Sequence, residues 1–129
     1  MASSDKQTGK NRAFGQSLQH ALDGLKALYR YERNFRKHLI FGTLAVLAGI
    51  ILQLTVNEWL WLTLAIFLVL IAETVNTIVE AVVDLVVGKN YHHLAKRAKD
   101  VAAGGVLLAA LFAVVVACLV MLPALARWF

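Results

Sequence analysis

Proline and cysteine are almost missing from this chain: one of each occurs, Pro123 and Cys118. A single cysteine inside an apolar run excludes an intrachain disulfide framework and a cysteine-based zinc site. One proline and eight glycines argue against disorder and against a loop-rich β architecture. Charge is scarce as well, at 16% of residues against 60% hydrophobic. A soluble chain of 129 residues could not hide so much apolar surface, so lipid is the expected solvent. Met1–Arg36 contains no apolar h-region, so no signal peptide is expected and the first span must itself direct insertion. Neither a GxxxxGK[ST] loop nor a kinase-type glycine loop is present.

What the sequence has in quantity is apolar length. Leu39–Asn57, Trp59–Ala72 and Val101–Ala126 contain no Lys, Arg, Asp or Glu. A spanning helix needs about 20 mostly apolar residues. The runs predict one all-α integral membrane domain over 1–129, with transmembrane helices at 38–57, 59–87 and 100–122. Ahead of them, 1–12 reads as a mobile tail and 13–31 as an amphipathic helix. Phe14, Leu18, Leu22, Leu25, Leu28 and Tyr29 fall on one side of that helix, and Gln16, Gln19, Asp23, Lys26 and Arg30 fall largely elsewhere. Such a helix suits the membrane interface, the plain alternative being a helix packed on its own protein.

Eight of the thirteen Lys and Arg precede the first apolar run, none lies near Thr55–Glu58, and Lys89, Lys96, Arg97 and Lys99 lie in Gly88–Lys99. Positive charge marks the cytoplasmic side. The N-terminus is therefore expected inside and the C-terminus outside, with GKNYHHLAKRAKD as a loop along the cytoplasmic face. Trp59, Trp61 and Trp128 suit the outer interface, and His20 and His38 the interfacial zone. The basic residues flank membrane spans, so nucleic acid is not an expected partner. Gly105, Ala109, Ala113 and Ala117 form a small-residue stripe that would let another helix approach.

The second span carries the chemistry. In IAETVNTIVEAVVDLVV, residues 71–87, the side chains of Glu73, Asn76, Glu80 and Asp84 fall within about 80° of one face, with Thr77 on its flank. Ionisable groups inside spans are costly and mark function, although a structural hydrogen-bond network would look similar. Carboxylates at the cytoplasmic end of a span suit two tasks. They can ligate a hard cation such as magnesium alongside phosphates, and one can take a proton from an attacking hydroxyl. Lys99 and Asp100 open the third predicted span on the same side. Lys99 could neutralise phosphate or merely anchor the interface. Asp100 could contact ligand or favour a helix N-terminus. His92 and His93 are adjacent, so on a helix they would point apart, and they are not read as a metal pair. Glu32, alone among basic residues, reads as a surface ion pair.

The segments YERNF, ETVNTIVEAVVD and YHHLAKRAKDVAAGGVL, with their spacing, resemble the prokaryotic diacylglycerol kinase family. The likeness runs from about Ala13 through the third span, and E-x-x-N-x-x-x-E followed by AKD is its most specific part. NFRKH, VNEWLWL, AKDVAA and the late Leu122–Pro123 are similar to the undecaprenol kinase branch of Gram-positive bacteria. The resemblance implies a small homotrimer in the bacterial cytoplasmic membrane, with sites shared between subunits. It implies an ATP- and Mg2+-dependent kinase acting on a lipid alcohol. Glu73 would be the catalytic base at the lipid hydroxyl. Asn76 would position reacting groups, and Glu32 and Glu80 would hold the metal on ATP. Asn90, Tyr91, His92, Lys99 and Asp100 would contact nucleotide, Asn90 standing where some members have an acid. Arg12, Gln16 and His20 align less securely. Undecaprenol is the leading substrate and diacylglycerol the alternative. A proton- or cation-conducting oligomer and a structural assembly factor are the readings from other classes.

Overall fold

The computed structural model describes residues 6–129. Residues 1–5 of the tail expected over 1–12 lie outside that range. Four helices follow in order, α1 (Phe14–Tyr31), α2 (Arg33–Ile51), α3 (Val56–Val87) and α4 (His93–Ala126). The last three are long and apolar enough to cross a membrane.

The charged junction YERNFRKH condenses into a one-residue corner. Glu32 is extended (φ −104°, ψ 104°) and belongs to neither helix. Arg36 makes the corner tight: its Nη1 donates to the carbonyls of Tyr29 at 2.6 Å and Arg30 at 3.0 Å. Those carbonyls would otherwise end α1 without partners. Consequently α2 starts five residues before the predicted span.

The next connection is also short. Gln53 takes a positive φ of 54°. Thr55 then caps α3, its hydroxyl accepting from Glu58 N while the Glu58 carboxylate accepts from Thr55 N. This reciprocal box satisfies two N–H groups at the start of α3. Gly88, at φ +60°, ends α3 in a conformation that side-chain-bearing residues rarely adopt.

The loop expected over 88–100 is much shorter than the sequence suggested. α4 starts at His93, with His92 Nδ1 accepting from Leu94 N at 3.1 Å. LAKRAKD is polar but made of good helix formers, so it continues α4 beyond the apolar run instead of looping. Lys99 and Asp100 therefore lie in the second and third turns of α4 and do not open it. Asp100 pairs with Lys96 one turn back, which replaces the expected role at a helix N-terminus. At the other end α4 runs through Pro123 to Ala126.

α3 packs chiefly along α4, α2 against α3, and α1 against α2. The core of Leu54, Leu62, Ala65, Val116, Val120 and Ala124 lies near the α2–α3 turn and the end of α4. Gly49 permits that packing, because a Cβ there would stand 2.7 Å from Trp59 Cη2 and 2.9 Å from Leu54 Cδ1. Arg127 closes the same end through a two-pronged bond to Glu58, at 2.8 and 3.1 Å. Ala109 and Ala113 of the small-residue stripe face the packed side, whereas Gly105 is exposed. The membrane-length windows of α2, α3 and α4 bury only 11%, 28% and 17% of their residues within the chain, which leaves wide apolar faces for lipid or other chains.

At 1.5 Å per residue α3 extends about 48 Å, well beyond a hydrocarbon layer of about 30 Å. Counted from Trp59, Glu73 lies about 21 Å along the helix and Glu80 about 32 Å. Along the helix Glu73 thus falls within one hydrocarbon thickness of Trp59, and Glu80 at about that distance.

Candidate functional site

Burial along the file falls steadily. Glu73 is 2% exposed and Asn76 7%, whereas Glu80 is half-buried and Asp84 exposed. Asn76 Nδ2 donates to Glu80 Oε1 at 3.2 Å, which fixes the amide orientation. Among the described residues the buried Asn76 Oδ1 then finds no hydrogen-bond partner, and neither does the Thr77 hydroxyl. Buried polar groups are normally hydrogen-bonded, so these two are exceptions along the file.

Tertiary packing brings two further groups to Glu73. His38 on α2 places Nε2 3.8 Å from Glu73 Oε2. Glu32 at the α1–α2 corner acts electrostatically on Glu73, as does Glu80. The surface ion pair expected for Glu32 does not form among the described residues, and Glu32 is half-buried. Three carboxylates from two parts of the chain therefore share one field. This is an all-oxygen donor set of like charge, suited to a hard divalent ion that brings most of its ligands as phosphate and water. Among the described residues no three His, Cys, Asp or Glu converge into a closed metal cage. A site using one or two carboxylates needs no such cage. Beside them, Ala21, Gly24, Leu25, Leu28, Thr74 and Ile78 line an apolar cleft of about 400 Å³ between α1 and α3, with Glu32 and Thr77 also on its wall.

The remaining candidates gather around a second, open cavity of about 500 Å³ at the α3–α4 turn. Asn90, Tyr91, His92, Lys96, Lys99, Asp100 and Asp84 line it. Lys99 Nζ meets Asp84 Oδ1 at 2.6 Å, so its charge is shared within the chain. His92 precedes α4 in extended backbone (φ −144°), and its ring stacks on His93 with centroids 4.7 Å apart. The two rings therefore do not diverge as they would on one helix. Glu73 does not line this cavity. A single chain thus holds the acidic file and the nucleotide candidates as neighbouring halves, linked through Glu80 and Asp84 on consecutive turns of α3.

Of the less securely aligned residues, Gln16 accepts from Arg12 N at 3.0 Å at the start of α1, and His20 is half-buried on that helix. Neither Arg12, Gln16 nor His20 lines either cavity. His38 is the functional candidate that sequence reasoning missed. Its local context is that of any basic residue before a span, and only the approach of α2 to α3 distinguishes it.

The family model for prokaryotic diacylglycerol kinase matches residues 19–121. A Synechocystis sp. protein named diacylglycerol kinase is 45% identical over 109 residues, which is 84% of this chain and 62% of that protein. A Bacillus subtilis protein named undecaprenol kinase is 37% identical over 125 residues, 97% of this chain and 100% of its own length. The Escherichia coli K12 protein named diacylglycerol kinase is 36% identical over 98 residues, 76% of this chain and 80% of its own. The match of the family model over most of the chain, including the whole acidic file and the α3–α4 turn, places this protein in the prokaryotic diacylglycerol kinase family.

Proposed function

We propose that the chain is a lipid kinase that transfers the γ-phosphate of ATP to the hydroxyl of a lipid alcohol, with undecaprenol as the preferred acceptor. The observation that carries this reading is the graded file Glu73–Asn76–Glu80–Asp84. It joins a buried carboxylate at lipid depth to an exposed cavity lined by lysines. Phosphoryl transfer needs little covalent chemistry from the protein and much positioning and charge neutralisation. In this reading Glu73 takes the proton as the lipid O–H breaks and the new O–Pγ bond forms. The bond from Pγ to the β,γ-bridging oxygen breaks, and ADP leaves. Asn76 Oδ1 holds a donor of the reacting groups. Glu32 and Glu80 would hold Mg2+ on the phosphates, where the ion supplies charge neutralisation. Lys99 would exchange its Asp84 partner for phosphate oxygens, and Asn90, Tyr91, His92 and Asp100 would flank the nucleotide. The apolar cleft under α1 suits a lipid tail whose head reaches Glu32 and Thr77.

The same reading places α1 in the cytoplasmic interface of a bacterial cell membrane, with the N-terminus inside and the C-terminus outside. Wide uncovered helix faces and the separation of the two half-sites support a homotrimer with sites completed between subunits. Undecaprenol is favoured by the end-to-end match to the Bacillus subtilis relative. Diacylglycerol is the second reading, favoured by the name of the more identical Synechocystis relative.

The test is phosphate transfer from γ-labelled ATP with Mg2+ in mixed micelles, undecaprenol and diacylglycerol side by side. Undecaprenyl phosphate should accumulate faster; a faster rate with diacylglycerol selects the second reading, and no labelled lipid from either alcohol refutes both. Glu73→Gln should lower turnover by about 10²–10⁴-fold, the usual contribution of a positioned base.

A further inference from the structure

We propose that His38 is a positioning residue for Glu73, holding one carboxylate oxygen so that the other faces the acceptor hydroxyl. The inference rests on the kinase reading above and adds to it a group from a different helix. His38 Nε2 stands 3.8 Å from Glu73 Oε2, with the histidine side chain 24% exposed and the carboxylate 3%. The charged groups acting on Glu73 are His38 from α2, Glu32 from the α1–α2 corner and Glu80 from α3. Two of these are acids and repel a carboxylate. His38 alone can donate to it, through Nε2–H in the cation or in that neutral tautomer. An ionised carboxylate as buried as Glu73 is stabilised by such a donor, because burial of a charge without a partner is strongly unfavourable.

The consequence is directional. A base works when its free oxygen lies within hydrogen-bond reach of the proton it removes, and a third group usually fixes the orientation of that base. Occupation of Oε2 from the α2 side leaves Oε1 free for the proton of the acceptor hydroxyl. The 3.8 Å separation is longer than a hydrogen bond, and catalytic contacts of ligand-free enzymes commonly tighten once substrate binds. Histidine suits the place better than lysine or arginine. Its ring is compact, reaches Glu73 from a half-buried position and carries no permanent charge into the apolar layer.

Two measurements on the full-length protein in mixed micelles decide the matter. His38→Gln should lower kcat by at least about tenfold while leaving KM for ATP and lipid within about twofold, since misaimed catalytic groups affect the chemical step and not binding. In 15N-histidine-labelled protein, the His38 Nε2 resonance should move on Glu73→Gln, while those of His92 and His93 should not. A kcat for His38→Gln within about twofold of the parent chain overturns the proposal. So does a His38 resonance that ignores Glu73→Gln. If the parent chain phosphorylates no lipid alcohol, the kinase reading falls separately, and the resonance still reports whether His38 and Glu73 are paired.

Discussion

Asn76→Asp probes the acidic file most directly, because it alters one functional group at a site only 7% exposed. The Asn76 amide donates to Glu80 Oε1 across 3.2 Å. After the exchange two carboxylates would face each other over that gap. Unit charges about 4 Å apart interact by about 4 kcal/mol at an effective dielectric of about 20. Loss of a hydrogen bond to a charged acceptor removes about 1.5–3 kcal/mol more. Side-chain rotation and proton uptake relieve part of this, so a net penalty of about 3 kcal/mol is expected, a loss in kcat/KM of at least about a hundredfold. Asn76→Ala removes the same hydrogen bond without adding charge, and should cost about ten- to a hundredfold. The assay is initial-rate phosphate transfer from γ-labelled ATP to undecaprenol, with helicity of each variant checked by circular dichroism. The reasoning is refuted if Asn76→Asp is as active as Asn76→Ala or more so. That order would mean that Asn76 and Glu80 do not face each other in the working enzyme.

Three further outcomes follow from the geometry. Asp84→Asn should leave stability within about 1 kcal/mol, since the Asp84–Lys99 pair is exposed, whereas Lys99→Ala should raise KM for ATP more than Asp84→Asn does. Equal KM values for both variants and the parent would remove Lys99 from the nucleotide site. Arg127→Ala should lower the thermal midpoint in detergent without altering KM for either substrate, because its bond to Glu58 lies at the end of the bundle away from Glu73; a changed KM would contradict that separation. Gly49→Ala should destabilise by about 1–3 kcal/mol through overpacking against Trp59 and Leu54, while Gly104→Ala, with nothing within 4 Å, should not destabilise. Comparable midpoints for the two variants in a denaturation series would show that the α2–α3 approach is looser than described.

The one-dimensional pattern was enough to find three helices of membrane length and the acidic file. Both depend on period and composition, which a chain carries whatever its neighbours do. E-x-x-N-x-x-x-E puts its members on one face by helix geometry alone, and the same spacing carried the resemblance to the family. Helix limits were less legible. Polar helix formers such as LAKRAKD extend α4 by seven residues, because helix formation depends on backbone and cap energetics, while the apolar pattern reports only where lipid begins.

What the tertiary structure alone decided is which groups meet. Glu32 looked like a surface ion pair, but the one-residue corner, clamped by Arg36, leaves it within electrostatic reach of Glu73. Lys99 read as a phosphate partner or an interfacial anchor, and the short 88–92 connection sets it against Asp84; His38 read as interfacial, and the approach of α2 to α3 sets it near Glu73. Each of these relations joins groups from separate elements of the chain. Their distances are set by turn length and side-chain packing, quantities that no periodicity along a single helix encodes.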